Sequence, residues 1–110
     1  MIQKDNLKIG RKIFQSRLMV GTGKYQSKKI MVDSLESSKS EIITVAIRRI
    51  QDMNKDSNLL KHIDWKKYWM LPNTAGCKNS EEAIRIALLG RELAKLSGQE
   101  DNNFIKLEVI

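Results

Sequence analysis

Strand-sized apolar stretches start four times along this chain, and that rhythm limits its fold more than any other feature. Arg17–Val20, Glu41–Ala46, Tyr68–Leu71 and Phe104–Ile110 each read as a strand. Ser27 can cap a helix running to about Ser38, with Ile30, Met31 and Leu35 on one side. Asp52–Asn58 reads as a polar loop and Leu59–Ile63 as a short helix, while Asn79 or Ser80 opens a helix reaching about Ser97. On that last helix Ile86, Leu89 and Leu93 form an apolar stripe beside Ala83, Ala87 and Ala94, with Arg85, Arg91, Glu92 and Lys95 opposite. Glu81 and Glu82 suit its first turn and Gly98 its stop. Units of roughly 25 to 35 residues that alternate in this way predict a parallel sheet covered by helices, either doubly wound or a barrel. Before the rhythm begins, Leu7–Ile9 and Lys12–Phe14 flank Gly10-Arg11 as a short hairpin.

At 110 residues the chain can hold one small domain with a core. A complete (β/α)8 barrel needs roughly 250 residues, and four units would be half of one. The final stretch bears on this. Ile105, Leu107 and Val109 share one face of a strand, and Lys106 and Glu108 the other. A domain ending on such a strand leaves unpaired backbone groups and an open apolar edge. The expectation is a single partial domain, residues 1–110, holding the first four strands of something larger whose C-terminal half is absent.

No apolar run approaches the ~20 residues of a membrane helix, and the first residues show neither a signal-peptide core nor a transit-peptide pattern. The single cysteine, Cys77, forms no internal disulfide. The net charge of +7 raises a nucleic-acid reading. The twenty cationic residues are spread along the chain, however, and aromatics that could stack on bases are few. Fourteen of the twenty are lysine, which fits an AT-rich genome or an anionic small substrate better than a polyanion.

In parallel α/β folds the functional face lies at the carboxyl ends of the strands. The candidates there are Gly21 to Tyr25, Arg48 and Arg49, Asn73 to Cys77, and Lys106 with Glu108. Lys106 and Glu108 read in two ways. They are the wet face of an edge strand, or a desolvated lysine whose free amine forms a Schiff base, with a glutamate two residues on to move protons. Gly21-Thr-Gly23-Lys24 is not a phosphate-binding Gly-x4-Gly-Lys-Ser/Thr loop, because Tyr25 follows the lysine. It is not Gly-x-Gly-x-x-Gly either, because Gln26 holds the third position. It serves as a turn that shapes the site. Arg48 and Arg49 can meet an anion or a partner, or stand in a solvated loop, and Pro72-Asn-Thr-Ala-Gly76 is a loop first and a site rim second. Cys77 has no basic partner in sequence, and one Cys with one His, His62, does not make a zinc site. Trp65 and Trp69 are most simply packing residues.

Taken in order, Phe14–Leu18, Gly21–Tyr25, Thr44–Arg49, Leu71-Pro-Asn-Thr-Ala-Gly-Cys77, Glu81–Arg85, Arg91-Glu92 and Ile105-Lys-Leu-Glu-Val-Ile110 resemble the thiazole synthases of bacterial and plastid thiamine biosynthesis. The match spans nearly the whole chain. The resemblance implies the N-terminal half of a (β/α)8 TIM barrel. It implies an enzyme that joins 1-deoxy-D-xylulose 5-phosphate, dehydroglycine and sulfur from a sulfur-carrier protein thiocarboxylate into a thiazole phosphate. It assigns Lys106 to the imine with the sugar ketone and Glu108 to acid/base work. Their place at the carboxyl ends of the strands, rather than the resemblance, sets Gly21, Thr22, Gly23, Arg48, Asn73 and Thr74 as expected substrate neighbours. No cofactor or metal is implied. A homo-oligomer at full length is expected, in the bacterial cytoplasm or the plastid stroma. The competing reading is an inactive truncated half barrel that acts at most as an interaction or structural protein.

Overall fold

The computed structural model describes residues 5–23, 25–52 and 60–108. Lys24, most of the expected polar loop, Leu59, Val109 and Ile110 lie outside them. The elements run β1 (Leu7–Ile9), β2 (Lys12–Phe14), β3 (Met19–Gly21), α1 (Lys28–Ser38), β4 (Ile42–Ala46), α2 (Ile47–Asp52), β5 (Trp69–Asn73) and α3 (Ser80–Leu96). The hairpin forms where the sequence places it, with Gly10 at φ +60° supplying the turn.

β3, β4 and β5 make a parallel sheet in sequential order, with Val20 opposite Ile43 and Ile43 opposite Met70. The register sorts the side chains. Ile43, Val45 and Met70 point to one face, where Met31 and Leu35 of α1 and Ile86 and Ala94 of α3 pack on them. Both long helices therefore cover the same face. On the other face Ile42 and Leu71 pack on Phe14, so the hairpin closes the amino ends of the strands. Glu41 fixes it there by accepting the backbone N–H of Gln15 (2.7 Å) and Ser16 (2.9 Å).

The helix starts follow local chemistry. Ser27 Oγ accepts the Ile30 N–H (3.1 Å) and Asn79 Oδ1 the Glu82 N–H (2.8 Å), so both expected caps form. The faces depart from expectation at two positions. Ile30 is 44% exposed, and α3 turns Gly90 inward in place of Leu89, which is 38% exposed. A Cβ on Gly90 would lie 2.6 Å from the Pro72 Cβ. The missing side chain lets α3 approach β5 closely.

Four backbone assignments are also corrected. Arg48 belongs to helix α2 rather than to a loop. Leu60–His62 is a single 3₁₀ turn. Pro72 and Asn73 are the last residues of β5, not a loop. Phe104–Glu108 does run beside β5, but as one parallel bridge, Asn73 with Lys106, rather than a full strand. The reason lies in β5. The Lys106 N–H donates to the Pro72 carbonyl (2.8 Å) and the Thr74 N–H to the Lys106 carbonyl (3.3 Å). The next rung toward the amino end needs an N–H that Pro72 lacks. One residue beyond, the Thr74 hydroxyl takes the Glu108 N–H (2.9 Å) in place of a backbone group.

Candidate active site

The bridge puts Lys106 on the same face as its partner Asn73, and two-residue periodicity carries Phe104 and Glu108 with it. This is the face of Ile42, Thr44 and Leu71, away from the helices. At its amino end the ring of Phe104 meets Phe14 (centroids 6.1 Å apart) and Trp69 (5.6 Å) edge to face. Ile105 points the other way, toward Gly90 and Pro72. One face of the sheet is thus apolar at the amino ends of its strands and polar at the carboxyl ends.

The polar end is a connected set. Lys106 Nζ lies 2.8 Å from Glu108 Oε1, with the two side chains 43% and 22% exposed. Asn73 Nδ2 donates to Thr44 Oγ1 (2.9 Å), and that hydroxyl donates to the Leu71 carbonyl (2.9 Å). Asn73 Oδ1 accepts the Ala75 N–H (3.1 Å), which fixes the amide on both sides. The Thr22 hydroxyl donates to the Thr44 carbonyl (3.2 Å), and Gly21 leaves ordinary van der Waals space beside Thr44. Gly23 is exposed in the bend that follows. Lys106, Glu108, Asn73, Thr74, Gly21 and Thr22 therefore gather around the ends of β3, β4, β5 and the bridged segment.

Arg48 is used differently. Its guanidinium pairs with Glu82 (3.1 Å) at the start of α3 and donates to the Gly76 carbonyl. It braces the loop after β5 against α3. Sequence reasoning passed over Thr44, the one hydroxyl in an otherwise apolar strand, Ile-Ile-Thr-Val-Ala. That break in the pattern is the signal that could have found it. Gln99 and Asn102 were passed over as well. Both are buried, and their amides take the N–H and carbonyl of Met70 (3.1 and 2.8 Å), doing the work of a neighbouring strand.

Cys77 is buried in the core under α3, and His62 is exposed on the 3₁₀ turn. Among the described residues no three His, Cys, Asp or Glu side chains are placed to hold a metal ion, and no helix is long and apolar enough to cross a membrane. What the cluster offers is a primary amine, a carboxylate within hydrogen-bond reach of it, and a fixed amide on the residue bridged to that lysine. Those are the groups for covalent chemistry on a carbonyl.

Known proteins match this chain along nearly its whole length. The family model described as "Thiazole biosynthesis protein ThiG" matches residues 8–110. A thiazole synthase of Prochlorococcus marinus subsp. pastoris (strain CCMP1986 / NIES-2087 / MED4) is 71% identical over 110 residues, covering 100% of this chain and 42% of that protein. The thiazole synthase of strain MIT 9215 is 70% identical over 106 residues, 96% of this chain and 40% of its own length. That of strain MIT 9515 is 66% identical over 110 residues, 100% of this chain and 42% of its own. The chain spans about two fifths of the length of these relatives.

Proposed function

The chain belongs to the ThiG family of thiazole biosynthesis proteins, and from that premise we propose that it is the N-terminal part of a thiazole synthase of thiamine biosynthesis. Sequential parallel strands with both long helices on one face support its reading as the first strands of a (β/α)8 barrel, whose inner surface is the face carrying Lys106.

The observation that carries the reaction is the Lys106–Glu108 pair at the carboxyl end of that face. In the proposed chemistry the Lys106 amine adds to the ketone carbon of 1-deoxy-D-xylulose 5-phosphate. The carbinolamine loses water to give an imine, and Glu108 relays the protons that addition, dehydration and enamine formation require. Dehydroglycine and the sulfur of a carrier-protein thiocarboxylate supply the rest of the ring. Gly21, Thr22, Gly23 and Asn73 form the rim on the substrate side. Arg48 contributes at one remove by holding the 74–77 loop. Oligomer formation at full length belongs to the same reading. The named relatives are bacterial, which favours the cytoplasm of a bacterium over a plastid.

Borohydride reduction of the full-length protein with the sugar phosphate tests the assignment. One reduced adduct per subunit is expected on the peptide containing Lys106, absent in Lys106→Ala. An adduct on another residue would overturn it.

A second reading applies to the 110 residues by themselves. An amine nucleophile needs desolvation, and here Lys106 is 43% exposed. Phosphate sites of such barrels usually follow strands seven and eight. Alone, the chain would bind the sugar weakly and turn nothing over. Purified chain that made thiazole phosphate at an ordinary enzyme rate would refute this.

A further inference from the structure

We infer that Thr74 is a positioning residue that sets Glu108 against Lys106; this rests on the Schiff-base reading above. Its hydroxyl accepts the Glu108 N–H (2.9 Å) and donates to the Glu108 carbonyl (3.1 Å). One side chain therefore clasps both backbone groups of a single residue. Its own N–H donates to the Lys106 carbonyl (3.3 Å). Thr74 is 1% exposed, with both hydroxyl functions occupied, so it holds the pair rather than touching a sugar.

The need for such a clasp comes from the ladder. Asn73 with Lys106 is the only bridge recorded between β5 and this segment among the described residues. The rung on the amino side is lost to Pro72. The contacts that fasten Glu108 on the carboxyl side are made by the Thr74 side chain. Leu107 between them is 69% exposed, so packing contributes little there. If the hydroxyl is removed, the Glu108 backbone is free to swing while Lys106 stays bridged to Asn73. The carboxylate then loses its registration with the amine, and proton transfer is sensitive to displacements of about 1 Å.

The test compares full-length protein carrying Thr74→Val, which keeps the volume and loses both hydrogen bonds, with Thr74→Ser, which keeps the hydroxyl. Thr74→Ala supplies the same comparison if the valine protein does not fold. Three readouts are needed: kcat, KM for the sugar phosphate, and the fraction of subunits trapped by borohydride at saturating sugar. The expected result for Thr74→Val is a fall in kcat of roughly ten- to hundredfold, with KM and the trapped fraction near wild type. Thr74→Ser should recover most of the rate. A loss of kcat matched by an equal loss of trappable subunits would show a folding effect only and overturn the inference. So would wild-type kcat in Thr74→Val alongside a Lys106→Ala protein that no longer traps. Trapping that survives in Lys106→Ala sinks the Schiff-base reading first, and the role of Thr74 with it.

Discussion

Gly90 of α3 rests against Pro72 of β5 so closely that a Cβ on the glycine would sit 2.6 Å from the proline Cβ and 3.2 Å from its Cγ. The proline is held in the strand, and Asn73 and Thr74 of the polar cluster follow it directly. Helix and site are therefore set by one contact that no side chain fills.

Gly90→Ala tests that contact. In an exposed helix the change would stabilise by about 1 kcal/mol. Here overpacking against a rigid ring costs about 1–3 kcal/mol and wins. A net loss of stability is expected in urea unfolding, and a gain would mean that α3 can draw back without cost.

Glu108→Gln separates the two members of the reactive pair. The amide keeps the shape and loses the proton-accepting carboxylate. Sugar should still be trapped on Lys106 once the slower imine formation has reached equilibrium, while turnover falls by roughly 10²–10⁴-fold. Unchanged turnover would remove Glu108 from the acid/base role.

Asn102 is 2% exposed and uses its amide three times. Nδ2 donates to the Met70 carbonyl (2.8 Å) and to Gln99 Oε1 (2.9 Å), and Oδ1 accepts the Phe104 N–H (2.9 Å). Asn102→Ala strands those partners in the interior and should cost about 1–3 kcal/mol. Asn102→Asp should be worse at neutral pH, because a carboxylate oxygen would then face two acceptor oxygens. Equal melting points for wild type and Asn102→Ala would contradict this account.

Asp5 and Arg17 give the chain a small pH dependence at the hairpin. Two hydrogen bonds from the guanidinium (2.8 and 3.0 Å), reinforced by its charge, hold the Asp5 carboxyl below its ordinary 3.8. A lowered pKa contributes stability that is present above 3.8 and lost as the pH falls through the depressed value. Both groups are exposed, so the effect is small and screened by salt. Asp5→Asn should melt slightly below wild type at neutral pH, and the gap should close in acid and in about 1 M salt. A gap that grew as the pH fell would reverse the sign and exclude the pair as its source.

Much of the fold is legible because its signals are local. Ser27 and Asn79 start their helices with their own side chains, Gly98 ends the second at φ +92°, and Gly10 turns the hairpin. The alternation of Lys106 and Glu108 put them on one face before any partner strand was known. Arg48 shows the opposite case. Position alone left it between an anion or partner contact and a solvated loop, whereas its guanidinium meets Glu82 and Gly76, 34 and 28 residues away.

Legible in the chain alone were the hairpin, the three parallel strands, the two capped helices and the placing of an amine and a carboxylate on one face, because each depends on residues within a few positions of one another. Tertiary structure decided which face that was, by bridging Lys106 to Asn73. It also decided that α3 turns Gly90 rather than Leu89 inward, that Gln99 and Asn102 stand in for a strand, and that the Thr74 hydroxyl replaces a rung that backbone could have made. These are contacts between residues 18 to 34 positions apart. Which of several chemically suitable partners a polar group meets is fixed only when packing brings one of them within 3 Å and shuts water out.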